Sequence, residues 1–206
     1  MDSSISTLLD VREAAARRRS IRAFEPEPIP AADLEAILDV VRLAPSAFNV
    51  QPWRFVVVQT PELKARLAEA AFNQRQVHSA PAVIALYTDM RDAMATLDEV
   101  VHPGMPEAQR AATAAHIRGI FGKQSPDEQE SWAAGQGYIA LGYLLLAAEA
   151  HGYQTSPMTG FDAARVREVL GLPDHVRVPA LVAIGRGTEE GFSHHRHPLA
   201  RIVRAA

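Results

Sequence analysis

The chain has 206 residues, 48% of them hydrophobic, a length and composition that suit one compact domain spanning 1–206 with a substantial core. Its net charge of −3 provides no basic field for nucleic acid, and the absence of cysteine excludes disulfides, thiolate metal sites and cysteine nucleophiles. Any redox chemistry therefore has to belong to a bound cofactor. Residues 1–9 lack the apolar core of a signal peptide, and no uncharged apolar run approaches membrane-spanning length, so the expected location is cytoplasmic, with small molecules or a second copy of the chain as partners.

Residues 6–17 read as a short helix carrying Leu8, Leu9 and Val11, and 30–43 as a clearer one, with Leu34, Ile37, Leu38 and Val41 at i, i+3, i+4 and i+7. Pro30 suits a first turn, where its missing donor has no partner to lose. Residues 55–58 are β-branched and short, as in a buried strand, 61–72 return to helical spacing, and 82–87 form a second strand. A mixed α and β domain follows from this order.

Residues 90–125 are helix-rich, punctuated by Gly119, Gly122 and Pro126, and read as an excursion over the core or over a ligand. Residues 131–150 are apolar around most of the helical circumference, which marks a central core or dimer helix. Gly152 ends it, and 157–162 form a loop in which Asp162 caps a helix ending near Leu170. Residues 178–184 supply another buried strand. Beyond Gly187 the chain is a polar tail that frays or docks on another surface.

Two segments carry the chemistry. Arg18, Arg19 and Arg22 with the Ser20 hydroxyl can neutralise a phosphate, since guanidinium forks donate paired hydrogen bonds. Taken alone, the cluster is equally what a helix C-terminus attracts. The run Ala44-Pro45-Ser46-Ala47-Phe48-Asn49-Val50-Gln51-Pro52-Trp53 leads turn-forming polar residues into a strand, a loop suited to presenting amides; Asn and Pro also make ordinary turns, and Trp beside a strand is usually core.

Other motifs are weaker. Gly135-x-Gly137-x-x-Ala140 fits a dinucleotide fingerprint only on paper, because it lies inside a helical run; its glycines serve close helix packing instead. His194-His195-Arg196-His197 lacks carboxylates at suitable spacing and contains an unfavourable cation, so no metal is expected there. The other histidines show no hydrolase order.

Together the Arg-x-Ser-x-Arg segment and the Pro-Ser-x-x-Asn-x-Gln-Pro-Trp segment, in this order and spacing, resemble the FMN-dependent nitroreductase family. Phe72-Asn73-Gln74-Arg75-Gln76, the 147–152 helix end, the 157–162 loop and Arg196-x-Pro198 extend the resemblance over nearly the whole chain. It implies an α+β fold with a mostly antiparallel central sheet flanked by helices, in an intertwined homodimer whose carboxyl-terminal segment crosses to the partner. FMN would lie between subunits. Arg18, Arg19, Ser20 and Arg22 would meet its phosphate, ribityl and pyrimidine groups, and Arg196 would return to the phosphate. Pro45, Ser46 and Asn49 would come from the partner subunit, Ala47 and Gln51 of the same segment would also bind the cofactor, and Asn73 and Gln76 would reach the pyrimidine edge. Pro157, Met158, Thr159 and Gly160 would place backbone groups near the flavin N5, so that the Thr159 amide matters more than its hydroxyl.

Gln76 departs from the lysine of many relatives and brings no charge; Arg22 is then expected to supply the cation that favours the anionic reduced flavin. The implied activity is ping-pong transfer of hydride from NADH or NADPH through FMN to a nitroaromatic or quinone, with Phe121 among the pocket walls. Alternatives on the same fold are a reductase for one metabolite, such as an unsaturated carbonyl or a halogenated aromatic, and a protein that sequesters FMN without turnover.

Overall fold

The computed structural model describes residues 8–205, so the expected helix start at residues 6 and 7 lies outside the described residues. Helix α1 is Val11–Arg17, begun by Asp10, whose carboxylate accepts the Glu13 amide at 2.8 Å. Helix α2 is Ala31–Val41, with Leu34, Ile37 and Val41 buried, the stripe that the periodicity predicts. Strand β1, Trp53–Val58, precedes α3, Pro61–Ala70, the short α4, Arg75–Ser79, and β2, Ala82–Thr88.

The excursion resolves into α5, Met90–Ala95, α6, Leu97–Val100, and α7, Glu107–Phe121. Helix α8 is Pro126–Ala150 and begins five residues before its predicted start. Pro126 opens this helix instead of interrupting it, because a first-turn proline loses no hydrogen bond and a reciprocal capping box joins Ser125 to Glu128.

Strand β3, Gln154–Met158, corrects the expectation that Pro157 and Met158 belong to a loop. Proline is tolerated there because β3 is the last strand in the order β1-β2-β4-β3. Helix α9, Ala163–Leu170, is capped by Asp162, which accepts the amides of Ala164 and Arg165, and it ends at Gly171 with φ 64°. Strand β4, Arg177–Gly185, pairs antiparallel with β2 and β3. A single exposed turn, α10, Leu199–Ile202, interrupts the tail.

Every strand pair is antiparallel, yet both faces of the sheet are covered, so β2 and β4 are buried almost throughout. Ile84, Leu86, Val182 and Ile184 pack with α2 and α8 on one face; Val83, Ala85, Leu181 and Ala183 pack with α3 and α9 on the other. That double burial explains why both strands read as continuous apolar runs. A third cluster gathers Met90, Leu97, Ile117, Phe121 and Ala133, tying the excursion to the start of α8.

Residues 20–25 thread along the end of the sheet. Ser20 bridges Thr155 on the outer edge of β3, where the Ile21 amide donates to the Thr155 carbonyl at 3.0 Å, and Phe24 bridges Gly187 just beyond β4. This zipper places the arginine segment beside the tail.

Helix α8 is not amphipathic in the usual sense. Ala133, Gly137, Ala140, Leu141, Leu144 and Ala148 face the core, while Gly135, Tyr138, Ile139, Gly142 and Tyr143 face outward, the three large residues being 49%, 39% and 38% exposed. The packing role expected of the glycines holds for Gly137, where an added Cβ would lie 3.1 Å from Thr88 Cγ2; at Gly135 the chain leaves open space.

Candidate functional site

Arg18 ends α1, and the chain then extends through Arg19, Ser20 and Arg22. The tail returns over this segment at Gly191, whose φ of 68° and 2.9 Å approach of a hypothetical Cβ to Ile21 Cδ1 both require glycine. As a result Arg18, Arg19, Ser20, Arg22 and Arg196 line one cavity of about 170 Å³, with Phe192, Ser193 and His194 completing its wall. Five residues named from sequence thus converge, with 174 positions between Arg22 and Arg196 closed by the fold.

The guanidinium groups are not equivalent. Arg19 Nη1 donates to the carbonyls of Ala16, Arg17 and Arg18 at 2.7–3.0 Å, so this residue does cap the helix end. Arg18 differs, since its Nη1 is buried without a hydrogen-bond partner among the described residues. Burial lowers its pKa, Arg196 and Arg19 lower it further, and the carboxylate of Glu149 acts the other way. A half-buried cation beside further cations is a site that an anion would relieve. Glu149, buried near the end of α8, is itself pushed up by burial against the pull of Arg18, Arg17 and Arg19. The Arg22 amide donates to Glu189 Oε1 at 2.7 Å, and Arg75 lies 3.7 Å from the same carboxylate.

A second group forms where the end of α3 meets the loop after β3. Phe72 and Asn73 have φ of 56° and 53°, and the Asn73 amide donates to the Ala68 carbonyl at 2.8 Å while Phe72 donates to Glu69 at 3.2 Å, a Schellman closure without glycine. Gln76 is buried, its Nε2 2.9 Å from Gln74 Oε1 and 3.8 Å from Met158 Sδ. Gln74 Nε2 donates in turn to the Gly160 carbonyl at 2.6 Å. Gln76, Met158 and Gly160 are therefore drawn together, and Asn73 sits on the adjoining bend. Pro157 pairs with Val182 in the sheet, and Thr159 lines a neighbouring cavity of about 550 Å³ that includes Tyr138 and Phe161.

The 45–51 loop stands apart from both groups. Ser46 Oγ accepts the Gln51 amide at 2.9 Å, Gln51 Nε2 donates to Asn49 Oδ1 at 3.0 Å, Asn49 Nδ2 donates to the Val100 carbonyl at 2.8 Å, and the Ala47 amide donates to Gln136 Oε1 at 3.0 Å. Pro45 precedes this network. Phe48, Asn49 and Gln51 have φ of 57°, 57° and 47°, and Phe48 meets Phe121 edge-on at 6.3 Å. Among the described residues, none of the loop's hydrogen bonds reaches the arginine cluster or residues 73–76.

Sequence reasoning named no role for Gln74, Glu149 or Glu189, nor for the trio of Asp89, Glu130 and His175, whose ligand atoms lie within 4.8 Å of one another. The trio is internally engaged. Asp89 Oδ1 accepts the Asp92 amide at the start of α5 and lies 3.0 Å from His175 Nε2, and Glu130 accepts the Met90 amide at 2.7 Å and the Thr88 hydroxyl at 3.1 Å. Burial raises Glu130 above the ordinary carboxylate range; for Asp89 burial also pushes upward, but the Asp92 amide and His175 prevail and lower it. Only the scattered spacing of these residues was visible in the chain, and it signals nothing. The histidines of the tail are exposed, His194 Nε2 lying 3.2 Å from the Ala15 carbonyl.

Helices on both faces of a four-stranded antiparallel sheet, with an arginine cavity at one end and a polar loop before β1, define a nitroreductase-like α+β protein. Residues 15–186 match the model of the nitroreductase family, and the chain belongs to that family of oxidoreductases. It is 50% identical over 196 residues to an NADH dehydrogenase of Thermus thermophilus, covering 95% of this chain and 96% of the relative. It is 31% identical over 214 residues to the oxygen-insensitive NAD(P)H nitroreductase of Enterobacter cloacae, covering 95% and 99%. A nitroreductase-type structure from Exiguobacterium sibiricum, solved in complex with FMN, superposes with a TM-score of 0.89 at 32% identity, covering 97% of this chain and 99% of that one.

Proposed function

We propose that this chain is an FMN-dependent NAD(P)H oxidoreductase that reduces nitroaromatic or quinone-type acceptors. The observation that carries this reading is the cavity holding Arg18, Arg19, Arg22 and Arg196, with a buried guanidinium nitrogen that has no partner among the described residues. A phosphate monoester matches that donor set in charge and in geometry. The likeness to a structure solved with FMN supports the same choice.

Arg18, Arg19, Ser20, Arg22 and Arg196 would hold the phosphate end. Asn73 and Gln76 would address the pyrimidine; since the two Gln76 Nε2 hydrogens are directed at Gln74 Oε1 and Met158 Sδ, the Gln76 carbonyl oxygen is what it has to offer, as an acceptor. Pro157, Met158, Thr159 and Gly160 would frame the reacting face with backbone groups. Bound FMN would supply the hydride-accepting and hydride-donating centre. Donor and acceptor would use the same face in turn, in ping-pong order.

A second copy completes the site. The 45–51 loop is ordered by its own network yet makes no bond to the other two groups, so Pro45, Ser46, Ala47, Asn49 and Gln51 are assigned to the partner's cofactor. The outward stripe of Tyr138, Ile139 and Tyr143, with Gly135 and Gly142 between, offers the homodimer surface. The chain acts as one domain. Among the described residues no helix is long and apolar enough to cross a membrane, which fits a cytoplasmic reductase.

The test is an absorbance spectrum of the purified protein followed by anaerobic NADH and then NADPH. Flavin bands that bleach and recover on adding a quinone or a nitroaromatic are the expected result. A protein that cannot be reconstituted with FMN overturns the reading, and bound flavin that resists both donors replaces it with FMN sequestration. Turnover confined to an unsaturated carbonyl or halogenated aromatic would make it a dedicated reductase.

A further inference from the structure

Gln74 belongs to none of the ligand sets assigned above, yet its amide connects two of them. It occupies the position before α4, where a polar side chain ordinarily caps the helix, but it makes no capping bond to α4. Its Nε2 instead donates backward to the Ala71 carbonyl at 3.0 Å and across the fold to the Gly160 carbonyl at 2.6 Å. Its Oε1 accepts from Gln76 Nε2, and Gln76 is 5% exposed. The buried amide of Gln76 therefore fixes which way the Gln74 amide faces, and Gln74 in turn fixes the peptide plane of Gly160. The direction is one-way: donor from Gln76 to Gln74, donor from Gln74 to Gly160.

A second tie backs this one, because the Asp162 amide donates to the Ala70 carbonyl at 2.9 Å, so the end of α3 grips the loop at both ends of the Gly160–Asp162 stretch. We propose that Gln74 is a positioning residue that holds the Met158–Gly160 backbone in register with the face where hydride is transferred. The proposal rests on the reading of that loop given under the proposed function.

Two near-isosteric variants separate this role from simple packing. Q74M keeps the volume and removes all three side-chain hydrogen bonds; Q74E keeps an acceptor for Gln76 but has no donor for Ala71 or Gly160. Hydrogen exchange at the Asp162 amide reads loop order in the protein with or without flavin, and stopped-flow reduction by saturating NADH reads the chemistry. In both variants exchange is expected to quicken, and the limiting reduction rate to fall about tenfold or more, with the FMN dissociation constant within about threefold of wild type. Wild-type exchange together with wild-type reduction would overturn the proposal, as would a rate loss matched by an equal loss of FMN binding. If wild-type protein takes up no FMN, the functional reading fails, and the exchange result still decides whether Gln74 orders the loop.

Discussion

Arg18 is the residue on which the electrostatics of the cavity turn. Arg19 caps α1 through Nη1 alone and Arg22 is anchored to Glu189 through its backbone amide, whereas Arg18 has a buried Nη1 without a hydrogen-bond partner among the described residues. Removing one charge-assisted contact to a phosphate costs about 1.5–3 kcal/mol, so Arg18→Ala should weaken FMN about 10- to 100-fold while leaving riboflavin, which lacks the phosphate, nearly unaffected. Fluorescence titration with both flavins measures this, and equal losses would assign Arg18 to the ring instead. The arginines were legible in the sequence because only guanidinium meets a phosphate so well, and the chain groups four of its candidates within five positions. Gln74 was not, because its partner Gly160 lies 86 residues away and a glutamine carries no chemistry of its own until folding aims it.

At the scale of elements, legibility followed burial. Helix α2 and strands β2 and β4 bury wide apolar faces, and their periodicity located them within a few residues. Two of the departures share a cause, which is reading proline as punctuation. Pro126 starts α8 and Pro157 sits in an edge strand, each in one of the places where a missing amide hydrogen costs nothing. The start of α8 consequently depends on its cap: Ser125→Ala should destabilise the protein by about 1 kcal/mol through loss of the Ser125–Glu128 box. Urea denaturation would record it as a lower midpoint at unchanged slope, and an unchanged midpoint would mean that α8 is fixed by its core face alone.

For the whole molecule the open question posed by the sequence was what covers a helix that is apolar around most of its circumference. The core takes half of α8, and the fold leaves Tyr138, Ile139 and Tyr143 outward. Under the proposed assembly, Ile139→Arg should convert a dimer to a monomer in sedimentation, since burying an unpaired charge there costs several kcal/mol. FMN should be lost in the same variant, because the 45–51 loop would no longer reach a partner's site. A wild-type protein that sediments as a monomer would refute both. Periodicity carries no information on the proposed placement of the cofactor between two chains, which rests on the resemblance of the loop motif.

Among the described residues the five non-glycine positions with positive φ, Phe48, Asn49, Gln51, Phe72 and Asn73, all lie in the two polar bends of the candidate site. Left-handed backbone costs an ordinary residue about 1–2 kcal/mol, so these bends are a reserve of stability that glycine would release. Phe72→Gly, at the exposed end of α3, should therefore raise the melting free energy by roughly 1 kcal/mol, readable as a higher melting temperature. Heat-tolerance screens of random variants would be drawn to these bends, and the survivors would tend to be the sturdier and slower catalysts. Selection for turnover would be expected to push the other way, restoring side chains to positions where the backbone alone would favour glycine.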